Sequence, residues 1–545
     1  MPYSVRETIL MSSGTSPAPN SRNQTEVFAV HGADPEILAF AMAKYSRSSL
    51  SMRESLTEIS SQRAEQFLNT FYFQYGHRSI ADLAHIAFAV ERLSLLAAIV
   101  LVDEPRWDGQ ERSTRYQNFL KSGFFLPGFG TDTASASLYS ETIASLFTAY
   151  QGVSAAVLDL LHRRIPCPDN LKPESYERTL RARAFDVARY LLPLATNTSL
   201  GQIVSARTLE TQVSRLLSSP FAEVRMLGEK LREAATTPAW NLNAPAAQAF
   251  IEKLSTLHDD GAAALSAEAA ALFLRDIRTA PTLVKYAQPN PYLAQTQADL
   301  AQAARELLSQ IPSKGLPHVV VDLVERTESL EVELAATLLY SASHHPYRQI
   351  RDLVASLPAS RVNEIIDLGL RHRGRHDEAL RAFHAGAALR FDILMDIGGF
   401  RDMHRHRRCT QIIQGFTSEH GYETPGSGDL PAEIDILAEA GVLPDYRGAI
   451  EQAHAAAARI SAGSAPEAAQ SAAYLLPLAT RVRALFKMDF AEAQYISELR
   501  SAPAGHFSYR RIAWEMFLKL QQQHPTLARH IRVTDFTQPI DIFQR

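Results

Sequence analysis

Tyr190-Leu191-Leu192-Pro193-Leu194-Ala195-Thr196 recurs unchanged as Tyr474-Leu475-Leu476-Pro477-Leu478-Ala479-Thr480. The copies lie 284 residues apart (474 − 190), far beyond a solenoid period and close to the size of a domain. A chain of 545 residues also exceeds one ordinary core. The recurrence therefore predicts a tandem duplication, and the useful question is which chemistry each copy kept.

Around these two anchors the chain reads as mostly helical. Apolar residues three and four apart predict helices at Asp34–Ser46, Glu54–Phe73, Ser137–His162, Tyr176–Leu192 and Thr208–Ala235. Alanine-rich stretches at Ala262–Leu272 and Ala453–Ala473 are good helix formers. Ile86–Val90 and Leu389–Leu394 look like strands. Residues 1–26, rich in Ser, Thr, Asn and Pro, read as a tail. Pro-punctuated chain from Thr279 to Tyr292 places the boundary between copies just after it, giving residues 27–295 and 296–545. The second copy is expected to open with helices up to Leu370, to be interrupted by a loop at Gly421–Pro431, and to continue helical to about Gln523. The class is helix-rich α+β.

Composition narrows the partners. A net charge of −4 gives no global case for nucleic acid or an anionic membrane. The longest apolar run, Ile86–Val102, is broken by Glu91 and Arg92, a poor membrane span. Two cysteines, Cys167 and Cys409, exclude a disulfide framework and an all-cysteine metal site, and suit a reducing cytoplasm. Pro166-Cys167-Pro168 has nothing around it that supports a nucleophile.

Three clusters carry candidate chemistry. Arg401–Arg408 holds four Arg and two His in eight residues, with Arg405-His406-Arg407 at its centre. Guanidinium forks match phosphate, and an imidazole stacks on a planar ring. On composition alone, the run reads as a solvated basic face. Gly109-Gln110-Glu111-Arg112-Ser113-Thr114-Arg115-Tyr116 is polar and should be a loop, where hydroxyl, amides and Arg can cradle a phosphate. Tyr75-Gly76-His77-Arg78-Ser79 precedes the first strand-like segment, and a helix could begin at Ser79.

Together these residues resemble the flavin-dependent thymidylate synthase family (ThyX), whose signature is Arg-His-Arg-x-x-Ser-x-Asn-Glu-x-Ser-x-Arg-Tyr, placed about 26 residues after a Gly-His-x-Ser. In the first copy Glu111, Ser113, Arg115 and Tyr116 fit the end of the signature, with Gln110 for its Asn. The Arg-His-Arg position there holds Asp103-Glu104-Pro105, and His77 lies 26 residues earlier (103 − 77). In the second copy Arg405-His406-Arg407 fits the start, and no Ser-x-Arg-Tyr follows. Ala188-Arg189-Tyr190-Leu191-Leu192-Pro193 resembles the family's Ala-Arg-x-Val-Leu-Pro; its second copy has Ala473 where Arg189 stands. The losses are complementary.

The resemblance implies two ThyX-like domains, each of helices on a small, mostly antiparallel sheet, forming a pseudo-dimer with one composite site. It implies reductive methylation of dUMP to dTMP, with FAD bound and with methylenetetrahydrofolate and NADPH as co-substrates. On it, His77, Ser79, Arg405, His406, Arg407 and Glu111 would contact flavin. Glu111, Ser113, Arg115, Tyr116, Arg189 and Arg405 would bind the nucleotide. Arg500, or else Arg215, would favour the ionised uracil ring. The family's tetramer of single domains implies a homodimer here. Two other readings stay open: one-carbon transfer to another pyrimidine nucleotide, and an inactive nucleotide-binding homologue.

Overall fold

Two strands, His85–Ser94 and Leu389–Asp396, each run directly into a short helix, and both turns are made the same way. Ser94 accepts a hydrogen bond from the Ala97 amide and opens the Leu95–Leu101 helix. Asp396 accepts one from the Gly399 amide and opens the Ile397–Met403 helix. A short polar side chain there satisfies an amide that a helix start leaves unpaired. The computed structural model describes residues 34–44, 78–256, 261–284, 287–311, 319–325, 329–374, 377, 379–384, 388–426, 435–463, 467–529 and 531–543. The expected tail, the Glu54–Phe73 helix and His77 lie outside these residues, and so does the Ser79 side chain.

Among the described residues, seven strands form two sheets: β1 (His85–Ser94), β2 (Asp108–Glu111), β3 (Asn197–Ser205), β4 (Val321–Leu323), β5 (Leu389–Asp396), β6 (Thr410–Ile413) and β7 (Arg481–Met488). The first sheet has the order β1-β3-β2 and the second β4-β5-β7-β6, with every pairing antiparallel. Thus β5, β6 and β7 repeat β1, β2 and β3, and β4 is added at an edge. The architecture is helix-rich α+β with small antiparallel sheets.

Several details differ from the sequence reading. Asp108–Glu111 is a strand, although its polar residues predict a loop; β3 supplies its hydrogen-bond partners. β4 interrupts the helices expected up to Leu370, and β7 interrupts those expected to Gln523. The helix that could begin at Ser79 is a 3-10 turn, Arg78–Leu83. The Ala453–Ala473 stretch divides into helices Leu443–Ser461 and Ala468–Ala473. The Pro291–Leu308 helix runs through residues 295 and 296, and the Tyr292 hydroxyl donates to the Gly369 carbonyl of the second half.

The heptapeptides meet each other. The Leu194 amide donates to Leu476 O at 3.0 Å, and Leu478, its equivalent, donates to Leu192 O at 2.9 Å. Ala195 donates to Tyr474 O at 2.8 Å, and Ala479 to Tyr190 O at 3.0 Å. Pro193 faces Pro477. The four bonds form two pairs that interchange when the copies are exchanged, the pattern of an isologous contact. Each heptapeptide also accepts from its own short helix: Leu95 and Leu96 donate to Thr196 O and Leu194 O, and Ile397 and Gly398 to Thr480 O and Leu478 O. These segments lie within one apolar core that spans both halves. The Thr133–Arg164 helix is long and apolar, and Tyr139, Ile143, Leu146, Tyr150 and Val157 on it are buried in that core.

Candidate active site

The short helix Ile397–Met403 ends where the His404 amide donates to Phe400 O, and the chain turns sharply into Arg405-His406-Arg407. That turn is held at the His406 carbonyl, which accepts from Gln411 Nε2 at 2.7 Å and from the Cys409 thiol at 3.1 Å. The His406 amide donates to Met403 O. Burial pushes the Cys409 thiol up to about 12, so it is a structural donor and not a nucleophile.

From the other half, the Pro173–Ala188 helix and the 3-10 turn Arg189–Leu191 carry Asp186 and Arg189 to the same place. The Arg189 guanidinium is buried and donates to Asp402 Oδ2 at 3.2 Å. Its Nε and NH2 are buried without a hydrogen-bond partner among the described residues. Burial alone would raise the Asp402 carboxyl; Arg189, then Arg405, Arg115 and Arg500, outweigh it and hold it at about 2. Two of these arginines belong to the first half and two to the second.

Arg115 grips Asp186 with both prongs, Nε to Oδ1 at 2.6 Å and NH2 to Oδ2 at 3.0 Å. It also donates to the Tyr509 hydroxyl at 3.0 Å and to Ala504 O at 3.2 Å. Burial opposes its charge, but Asp186 more than compensates and raises its pKa. Tyr509 also packs its ring 5.4 Å from the Arg500 guanidinium, so it links the two arginines. His506, fully buried, holds the Asp186 carbonyl at 2.8 Å; burial, Arg189 and Arg115 keep its ring neutral.

The remaining candidates fall around this cluster. Arg500 Nε donates to His406 Nε2 at 2.7 Å, and His406 Nδ1 faces Glu492 Oε1 at 3.4 Å. Arg405 is exposed. Arg407 lies over the Trp107 ring at 4.5 Å, and its buried Nε has no hydrogen-bond partner among the described residues. Glu111, at the end of β2, pairs with Arg401 across the two halves. Ser113 Oγ accepts from the Arg115 amide, and Tyr116 is exposed beside Arg115. Arg215 does not join the cluster. Its Nε donates to Glu104 Oε1 at 2.8 Å, and Glu104 sits beside Asp103, which pairs with Arg381. Burial would raise the Asp103 carboxyl, but Arg381, His404 and Arg215 hold it at about 2.

Asp186, Asp402, Glu492, His506 and Tyr509 are absent from the sequence candidates. Asp402 is the one acid in the basic run Arg401–Arg408, and Asp186 lies three residues before Arg189 on a buried helical face. Those positions are the only signal either gives.

The two halves also match a known family separately. A family model described as thymidylate synthase complementing protein fits residues 28–239 and 322–526. Three relatives resemble the chain over nearly its whole length. A UPF0159 protein of Chlamydia muridarum is 28% identical over 92% of this chain and 91% of its own. One of Chlamydia pneumoniae is 26% identical over 94% and 92%. One of Thermoplasma acidophilum is 25% identical over 91% and 94%. Among solved structures, the flavin-dependent thymidylate synthase ThyX of Helicobacter pylori, complexed with FAD and dUMP, is 17% identical over 37% of this chain and 89% of its own, with a TM-score of 0.25.

Proposed function

Because this chain belongs to the family of thymidylate synthase complementing proteins, we propose that it methylates dUMP reductively to dTMP at one composite site built by both halves. FAD is the bound cofactor in this proposal, and methylenetetrahydrofolate and NADPH are the co-substrates. The observation that carries the reading is the convergence of Arg115 and Arg189 from one half with Arg405 and Arg500 from the other around Asp402.

The donor set suits a phosphorylated ligand. Among the described residues, Arg189 keeps two buried nitrogens unpartnered and Arg407 keeps its Nε, while Arg405 faces solvent. Arg405 and Arg189 would bind the nucleotide phosphate, and Arg407, with His77 and Ser79, the cofactor. When bound, reduced FAD would supply hydride chemistry, so the reaction would call for no nucleophilic residue. Arg500 would favour the ionised uracil ring, since a fixed cation stabilises a developing anion. Arg115 would act behind the ligand, because Asp186, Tyr509 and Ala504 already take its donors. Glu111 would reach the ligand on leaving Arg401, while Ser113 and Tyr116 border the site. The test is the absorbance of the purified protein before and after FAD and dUMP, followed by tritium release from C5 of dUMP. A flavin band perturbed by dUMP, with release, is expected; absence of flavin binding removes the redox mechanism.

One observation favours a second reading. Two of the four arginines are charge-compensated by Asp186 and Asp402, which lowers the pull on a dianionic phosphate. A different pyrimidine nucleotide, or binding without turnover, would suit that balance. Comparing dUMP with other nucleotides in the same titration separates these.

The reciprocal heptapeptide bonds support reading the chain as a fused pseudo-dimer, and we propose that two chains assemble as a homodimer of four such domains. Light scattering coupled to size exclusion tests this: a mass of one chain contradicts it.

A further inference from the structure

Arg500 has a counterpart in the other half, and the difference between them is informative. Glu104 and His406 occupy the same place in the two copies of the signature, since 103 and 405 are its first positions. Arg215 Nε donates to Glu104, at 2.8 Å, and Arg500 Nε donates to His406, at 2.7 Å. The same guanidinium nitrogen is held in each case. In one half the acceptor is a carboxylate, which cancels the charge it holds. In the other it is an imidazole.

That imidazole can accept in only one state. Arginine has donors and no acceptor, so the His406 nitrogen it meets must carry a lone pair. His406 is therefore neutral, with Nε2 bare and the proton on Nδ1. The group facing Nδ1 is Glu492, whose carboxylate oxygen lies 3.4 Å away. Histidine and glutamate are both buried, at 5% and 3% exposure. Tyr495 packs edge-on against the ring at 5.7 Å, and the His406 backbone is pinned by Gln411, Cys409 and Met403. The ring is thus held in place, with Arg500 at its bare nitrogen and Glu492 facing the protonated one.

We propose that Glu492 is a positioning residue for Arg500: it selects the Nδ1–H tautomer of His406, so that a neutral lone pair aims the Arg500 guanidinium without cancelling its charge. This rests on the reading that Arg500 acts on an anionic ring, and it adds a residue that acts through His406. Glu492 and Arg500 share one helix, Phe490–Ser501, so the carboxylate and the cation it serves move together. The Glu104–Arg215 pair in the other half is the same device with the charge lost.

The test has two arms. In the unliganded protein, isotope-labelled histidine NMR, with the His406 signal assigned by its loss in His406→Asn, reads the tautomer directly. The wild type is expected to show a proton on Nδ1 and none on Nε2. Glu492→Gln still offers an oxygen to Nδ1–H and should keep that state; Glu492→Ala should not. In turnover of dUMP, Glu492→Ala should lower kcat by about ten- to a hundredfold with KM for dUMP little changed, because the cation acts on charge that develops in the reaction. Glu492→Gln should stay within about threefold of wild type in the same assay. A wild-type ring protonated on Nε2 overturns the proposal, even if Glu492→Ala fails to fold. Equal losses in the Gln and Ala variants overturn it as well. If the wild type turns over no dUMP, the functional reading fails, while the NMR arm still decides the tautomer.

Discussion

At the residue scale, Asp402 separates the two arginine–carboxylate pairs of the site. Asp186 is fully buried and bound by both prongs of Arg115, so that pair belongs to the framework. Asp402 keeps 17% of its side chain exposed and makes one contact with Arg189, so an incoming anion can compete with it. Asp402→Asn should then have two opposite effects. It removes a carboxylate from among four cations, and inorganic phosphate or dUMP should bind about tenfold tighter, a gain of about 1.4 kcal/mol. It also leaves buried Arg189 without its counter-charge, and the fold should lose roughly 2 kcal/mol at neutral pH. The folded carboxyl, at about 2, lies below its ordinary value of 3.8. Its contribution is thus fully present above that ordinary value and is lost as pH falls through the folded one. Denaturation of wild type and variant should therefore converge between about pH 4 and pH 2. Weaker phosphate binding in the variant would count against this role. None of it is visible in the sequence, where Asp402 is one acid in a basic run: a side chain's partner is set by the other half of the molecule, 213 residues away.

At the element scale, the strands divide into those that announce themselves and those that do not. β1 alternates between buried and exposed positions, and its central residues are legible as a strand. β5 is buried along its whole length, although Leu389-Arg390-Phe391-Asp392-Ile393 alternates apolar with charged residues, and that period of two is what marks it as a strand. β7 is buried almost throughout and includes Arg481, Arg483 and Lys487, whose charges look incompatible with a core strand. Tertiary partners resolve them: Arg483 meets Asp392 at 2.9 Å, and Lys487 meets Glu333 at 2.9 Å. β2 is polar and short, and its register comes from β3. Gly109 shows how tight that edge is, because a Cβ there would lie 2.3 Å from the Gly201 carbonyl oxygen and 2.6 Å from the Trp107 ring. Backbone cannot step aside as a flexible side chain can. Gly109→Ala should therefore loosen β2, cost about 1–3 kcal/mol in a denaturant titration, and weaken the Glu111–Arg401 contact. An unchanged midpoint would mean that β2 does not anchor Glu111.

At the scale of the whole molecule, the duplication was the most legible feature, since the heptapeptide that reveals it is where the two copies touch. Residues that meet their own equivalents across such a contact must satisfy both copies at once. The complementary losses of the signature were legible as well; Arg115, Arg189, Arg405 and Arg500 all act on the Asp402 carboxyl. Because one apolar core spans the halves, denaturation followed by tryptophan fluorescence and by far-ultraviolet circular dichroism should give coincident transitions. Separate transitions would show two independent units. The central claim is a single site that needs both halves. Equilibrium binding of dUMP to the FAD-loaded protein, counted per chain in wild type and in Arg189→Ala and Arg405→Ala, tests it most directly. One nucleotide per chain is expected, lost in either variant; two nucleotides per chain, or loss in only one variant, would overturn a single shared site.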